Sequence, residues 1–203
     1  DCGIRGMAVT PHCSSDRRRE ICEALTLLRI VLNESNIPLI LYPGMEIKGA
    51  PDTADMLSDG RLITINGSRY ALIEFDFQSK GDIETKILKD VIQAGFTPIV
   101  AHPERYRYVQ RDFGIAQAMS DLGCEMQVDA CGLMAGLLSV EQRTARKLLK
   151  EGYVSYIASD AHRPEDYRDF EKARRMFRGE WPGENRLLAQ LRAQRKERTN
   201  NDP

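Results

Sequence analysis

Six short runs of mostly apolar residues recur along the chain: Gly6 to Thr10, Ile37 to Tyr42, Arg69 to Phe75, Thr97 to Ala101, Glu125 to Asp129 and Val154 to Ser159. Most are continuously apolar rather than alternating, which is how strands buried on both faces of a parallel sheet read. Parallel strands need long crossovers, and the segments between these runs carry helical periodicity. Ile21, Leu25, Leu28 and Leu32 define one apolar face, and Ile83, Ile87, Leu88, Val91 and Ile92 a second that Gly95 can end. A third helix is expected to start at Ser139, with Gln142 at the reciprocal capping position, and to stop near Gly152. Strand and helix alternate as in a βα barrel or an open doubly wound sheet. One interruption is expected, a local hairpin at Asn66-Gly67 just before the third run.

With 203 residues there is enough chain for one sizeable domain, read here as residues 1–191 followed by a polar, basic tail over 192–203. Acidic and basic residues nearly balance at a net charge of -1, so no global field calls for nucleic acid or an anionic membrane. Anion recognition must therefore be local. The five cysteines are odd in number and form no CxxC pair, which fits reduced thiols in a cytoplasmic protein. No apolar run approaches the roughly 18 residues of a membrane span, and no signal peptide opens the chain. The chain begins Asp1-Cys2-Gly3-Ile4, without an initiating Met, and enters a strand almost at once, as though a segment upstream were missing.

All three histidines fall just past the carboxyl ends of expected strands, His12 after the first, His102 after the fourth and His162 after the last. In βα folds those ends share one face, where active sites collect. Glu46 in "YPGMEI" and Glu74 in "ALIEF" share the pattern, and Asp160 belongs with His162 in "SDAH". A carboxylate flanked by Leu72, Ile73 and Phe75 must be paired, protonated or bound to a cation. A single histidine at a strand end is more often a hydrogen-bonding residue than a ligand, but three of three is a different matter. Together these six side chains offer mixed imidazole and carboxylate ligands suited to Mn²⁺, Fe or Zn²⁺ and poor for Ca²⁺.

A competing chemistry lies in "HCSSDRRR", where Cys13 and Arg19 have the bare spacing of a cysteine-dependent tyrosine phosphatase. Such a loop wraps phosphate with successive N–H groups and normally demands glycine. Here there is none; Asp16 would repel the anion, and Glu20 follows Arg19 where Ser or Thr is needed. Cys13 therefore reads as a small loop residue, which leaves the metal role to His12.

The motifs "TPH", "GMEI", "ALIEF", "AHPERY" and "SDAH", in this order, resemble the polymerase and histidinol phosphatase (PHP) superfamily. More narrowly, they are similar to its bacterial metal-dependent protein-tyrosine phosphatases of capsule and exopolysaccharide biosynthesis. The resemblance implies a distorted (β/α)7 TIM-like barrel with a cluster of divalent metals, usually Mn or Fe, at the carboxyl rim. By position, His12 and His162 would hold a peripheral metal, Glu46 would bridge two metals, Glu74 and His102 would hold the second, and Asp160 the first. Arg105 matches the family's phosphate-binding arginine, and Arg168 fits a second one, with Arg163 competing for that role. The family also begins with a His-x-His strand. Nothing before Asp1 supplies one, so the expectation is a barrel lacking its first strand and helix, with an incomplete cluster. The implied reaction is hydrolysis of phosphotyrosine on a bacterial tyrosine autokinase by water that metal ions activate, without a cysteinyl-phosphate intermediate. Two other readings stay open, a phosphate-binding remnant without turnover and a phosphoesterase acting on another ester. Oligomeric state is also left open.

Overall fold

Among the described residues every strand pairing is parallel. The computed structural model describes residues 4–179 apart from 14 and 137, together with 182, 187–191 and 193. Its elements are β1 (Gly6–Val9), β2 (His12–Cys13), α1 (Arg18–Glu34), β3 (Ile40–Pro43), β4 (Glu46–Lys48), α2 (Thr53–Ser58), β5 (Tyr70–Glu74), α3 (Asp82–Gln93), β6 (Thr97–Ala101), α4 (Arg107–Arg111), α5 (Gly114–Asp121), β7 (Glu125–Asp129), α6 (Ala130–Met134), α7 (Val140–Lys150), β8 (Tyr156–Ala158) and α8 (Asp166–Met176). A six-stranded sheet runs in the order β2-β4-β5-β6-β7-β8, and β1 pairs with β3 alongside it. The order follows the chain without the reversal that marks a doubly wound sheet. Among the described residues no helix is long and apolar enough to cross a membrane.

Strands β1 and β2 are one line broken in the middle, as are β3 and β4. Gly6 faces Ile40 and His12 faces Glu46, so the register carries across the break unchanged. Proline explains the gap, since Pro11 and Pro43 have no N–H to give to a ladder. Gly44 is required there by close approach, because a Cβ would lie 2.9 Å from Thr10 Cγ2.

The continuous apolar runs are explained by burial on both faces. Ala71, Ile73, Val100, Met126 and Val128 pack in one cluster with Ile87, Leu88 and Val91 of α3 and Leu148 of α7. Tyr70, Leu72, Ile99 and Ala101 point the other way, into a second cluster with Ile65, Leu187 and Leu191. Helix α3 ends as expected, with Gly95 at φ 90° and the Phe96 N–H donating to the Val91 carbonyl at 3.2 Å. Ser139 caps α7 by accepting from the Gln142 N–H at 3.3 Å, but the Gln142 side chain donates to the Leu133 carbonyl instead of closing the reciprocal box. On α1 only Leu25 is buried; Leu28 of the expected face is exposed, as are Leu27, Ile30 and Val31.

Two expectations are corrected. Asn66 and Gly67 do adopt left-handed backbone, φ 54° and 67°, but within a short 3-10 turn and not a hairpin. Strand β5 already has β4 on one edge and β6 on the other, so no edge is left for an antiparallel partner. The second run begins at Ile40 instead of Ile37, because Pro38 cannot donate and the Leu39 N–H turns back to the Ile37 carbonyl at 2.8 Å. Of the tail over 192–203, only residue 193 lies within the described residues.

Tyr106 locks the end of β5 to the segment after β6. Its ring is fully buried, stacks on Tyr108 at 5.3 Å, and its hydroxyl accepts the Phe75 N–H at 3.0 Å. A Tyr106→Phe variant is expected to lose about 1–3 kcal/mol of stability, the cost of leaving that buried N–H without an acceptor. Urea titration checks this, with a lower midpoint at unchanged slope as the expected result.

Candidate metal and anion site

Successive strands deliver the reactive side chains to one rim. His12 lies in β2 directly opposite Glu46 in β4, Glu74 closes β5, and His102 follows β6. Asp129 closes β7, while Asp160 and His162 follow β8. His12 and Glu46 are thus strand residues, not residues beyond a strand end as the sequence suggested, because the first two runs resume as β2 and β4 after their proline breaks.

The polar atoms converge closely. His12 Nδ1 lies 3.1 Å from Glu46 Oε2 and 3.1 Å from Glu74 Oε1. His102 Nε2 lies 3.1 Å from Glu46 Oε1 and 3.9 Å from Glu74 Oε2. Ligand atoms of His12, Glu46 and Glu74 all fall within 4.8 Å of one another. On the outer side His12 Nε2 meets His162 Nε2 at 3.1 Å, and His162 Nδ1 approaches the Asp160 carbonyl at 2.9 Å. Glu46 and His102 are buried, whereas His12 and His162 are exposed. A cleft of about 630 Å³ that includes His12, Glu46, Asp160 and His162 opens between β1 and β8.

This donor set fits a divalent cation. Two carboxylates share one neighbourhood with imidazole nitrogens, and two imidazole nitrogens face each other, an arrangement that a cation between them would satisfy. Among the described residues His102 Nδ1 is buried with no hydrogen-bond partner, so no outer group orients the ring from that side. His102 and Asp160 also sit in left-handed backbone, at φ 33° and 45°, conformations that cost non-glycine residues of order 1–3 kcal/mol and cluster at functional sites.

Arg105 borders the cluster. It ends a short 3-10 turn over Pro103–Arg105, with its N–H donating to the His102 carbonyl at 3.0 Å. Its guanidinium carbon stands 4.5 Å over the Phe77 ring, and Nη1 lies 3.4 Å from Asp160 Oδ2 and 3.6 Å from Asp129 Oδ2. Arg163 and Arg168 are exposed, and among the described residues neither side chain forms a hydrogen bond or ion pair with the cluster.

Two buried acids were not singled out from the sequence. Glu104 and Asp129 are both completely buried, and Glu104 Oε1 accepts the Asp129 N–H at 2.9 Å. Burial pushes the Glu104 carboxyl up to about 7, against hydrogen bonds that pull it down. Asp129 is raised well above the usual carboxylate range, first by burial and then by Glu104 and Asp160. Gly132 makes room for this pair, since a Cβ there would lie 2.8 Å from Glu104 Oε1. A signal for Asp129 was available: it ends a strand, as Glu74 does.

Cys13 is a core residue. It is buried within the main apolar cluster, and its Sγ donates to the Ser15 carbonyl at 2.9 Å. Arg19 points outward and pairs with Glu23 at 2.7 Å on α1.

The fold and rim define a parallel α/β protein with a candidate His/Glu metal site beside an arginine. The chain belongs to the capsular polysaccharide synthesis family CpsB/CapC, whose family model matches residues 1–178. It is similar to the tyrosine-protein phosphatase YwqE of Bacillus subtilis, 28% identical over 165 residues, covering 79% of this chain and 65% of YwqE. It is also similar to the tyrosine-protein phosphatase CpsB of Streptococcus pneumoniae, 30% identical over 164 residues, covering 78% of this chain and 65% of CpsB. The chain thus spans about 65% of the length of these relatives. Its fold matches a chain from the crystal structures of YwqE and CpsB, described as unique metal-dependent tyrosine phosphatases. The TM-score is 0.74 at 25% identity, over 84% of this chain and 74% of the other.

Proposed function

We propose that this chain carries the metal-binding and phosphate-binding rim of a metal-dependent protein-tyrosine phosphatase of capsule and exopolysaccharide biosynthesis. The observation that carries the reading is the meeting of Glu46 and Glu74 with His12 and His102 beside Arg105. Membership of a capsule-synthesis family and similarity to named tyrosine phosphatases support it. The substrate is phosphotyrosine on a bacterial tyrosine autokinase, encountered in the cytoplasm. Residues 1–191 act as one domain, a distorted (β/α)7 barrel of the PHP type. The in-order parallel sheet and the approach of β2 to the loop after β8, through His12 and His162, support that closure.

Glu46 faces two imidazoles at once and is the carboxylate suited to bridging two cations. Glu74 and His102 would hold one of them, Asp160 the other, and His12 and His162 a peripheral one. Manganese is the expected metal. When bound, such ions lower the pKa of water toward neutrality and offset charge on the phosphoryl oxygens. Arg105 donates N–H groups to the nonbridging oxygens as charge builds there, and Arg168, one turn into α8, is the second candidate for this role. A P–O bond to water forms as the bond to the phenolic oxygen breaks, and the tyrosine hydroxyl leaves with a proton.

Metal content and aryl-phosphate hydrolysis test this, measured on this chain and on one extended upstream to include the His-x-His strand that the family resemblance implies. Activity is expected to need added Mn²⁺, to vanish with a chelator and to survive Cys13→Ser nearly unchanged. Chelator-resistant activity that Cys13→Ser abolishes would instead identify a cysteine phosphatase, and phosphate binding without turnover in either protein would leave a binding remnant.

A further inference from the structure

We propose that Phe77 is a positioning residue, the platform that sets Arg105 at a fixed place relative to His102; this rests on the phosphate-binding role given to Arg105 above. Phe77 is wedged between the two. Arg105 lies over its ring at 4.5 Å, and the His102 imidazole meets it edge-on at 5.6 Å with an interplanar angle of 76°. Tyr106 closes a further side at 6.0 Å.

The backbone around the ring is held independently of the ring itself. The Phe77 carbonyl accepts the Arg107 N–H at 3.0 Å, and the Phe75 N–H goes to the Tyr106 hydroxyl, so residues 75–77 are stitched to 106–107 on both sides. Asp76 closes a tight turn beyond, accepting the Gln78 N–H at 2.7 Å. A shorter side chain at position 77 would therefore leave the loop where it is and remove the surface beneath the guanidinium.

Arginine needs such a surface because its side chain has many rotamers, and a stacked plane presents its N–H edge in one orientation. Asp160 and Asp129 restrain Nη1, but only at 3.4 and 3.6 Å, and among the described residues Phe77 is the one aromatic ring under the guanidinium. The aromatic face thus limits how far the carboxylates can draw the group away from an incoming anion. The residue acts through Arg105 and touches no reacting atom.

The test is a double-mutant cycle on the manganese-loaded protein, with inorganic phosphate as the probe and calorimetric Kd as the main readout. Phe77→Leu is expected to weaken phosphate binding about fivefold in the parent, to have almost no effect in an Arg105→Lys background, and to be rescued by Phe77→Tyr. For aryl phosphate the loss should appear in KM more than in kcat. Equal loss in both backgrounds, or no rescue by tyrosine, overturns the positioning role and marks Phe77 as ordinary packing. If the parent binds metal but no phosphate, the reading of Arg105 falls and takes this inference with it. Melting temperatures of all five proteins, taken with and without Mn²⁺, separate these outcomes from misfolding.

Discussion

A Glu46→Gln variant should bind Mn²⁺ at least about a hundredfold more weakly than the parent, since even outer-shell changes at metal sites cost 10–100-fold. Glu46 is the carboxylate that both imidazoles approach most closely: one oxygen faces His12 at 3.1 Å and the other faces His102 at 3.1 Å. Glutamine keeps the shape and removes the charge, so the substitution acts on the cation and spares the packing. Without metal the substitution should matter far less, because the glutamine amide still offers a donor and an acceptor to His12 and His102, and the metal-free variant should melt close to the parent. Calorimetric Mn²⁺ titration and melting temperatures with and without Mn²⁺ measure both halves. Unchanged affinity would remove Glu46 from the ligand set, and with it the bridging role.

Arg105→Lys should lower kcat/KM for aryl phosphate about a hundredfold, the scale seen when one preorganised donor to a developing oxyanion is lost. Lysine is the informative replacement. Among the described residues Arg105 is the cation that pairs with Asp129, whose carboxylate is fully buried. Alanine would strand that acid and mix a folding defect with the kinetic one. Lysine keeps a positive charge near Asp129 and Asp160 but loses the planar fork and its stacking on Phe77. Mn²⁺ affinity should stay near the parent's while phosphate binding and kcat/KM fall. A change of less than about threefold in kcat/KM would mean that other donors hold the phosphoryl group.

Much of this rim was legible because strand-end placement is a local property. His12, His102 and His162 could be assigned to one face before any packing was known, and the structure brings His12, His102, Glu46 and Glu74 into one cluster, with His162 joined through His12 and Asp160 through Arg105. Glu104 and Asp129 were not legible in the same way. Glu104 looks in sequence like any acidic residue beside a turn, and Asp129, although it ends a strand as Glu74 does, gives no local sign of its complete burial, which only the packing of the surrounding elements produces. The hairpin at Asn66-Gly67 failed for a related reason. The dipeptide specifies left-handed backbone, which it has, but whether a strand can pair there depends on whether β5 has a free edge.

Sequence by itself determined six strand runs and three of the helices to within a few residues, that the sheet is buried on both faces, and that imidazole and carboxylate groups gather at one end of it; it did not mark the breaks after Val9 and Pro43 or the helices α2, α4, α5, α6 and α8. What it determined follows from side-chain period and caps, which act over a few residues. Tertiary structure alone decided which nitrogen faces which carboxylate, that Cys13 lies in the core, and that Arg105 rests on Phe77 between two acids. Such pairings depend on the register between strands far apart in the chain, and a shift of one residue would send strand residues such as His12, Cys13 and Glu46 to the opposite face of the sheet and displace the loops that carry Phe77 and Arg105.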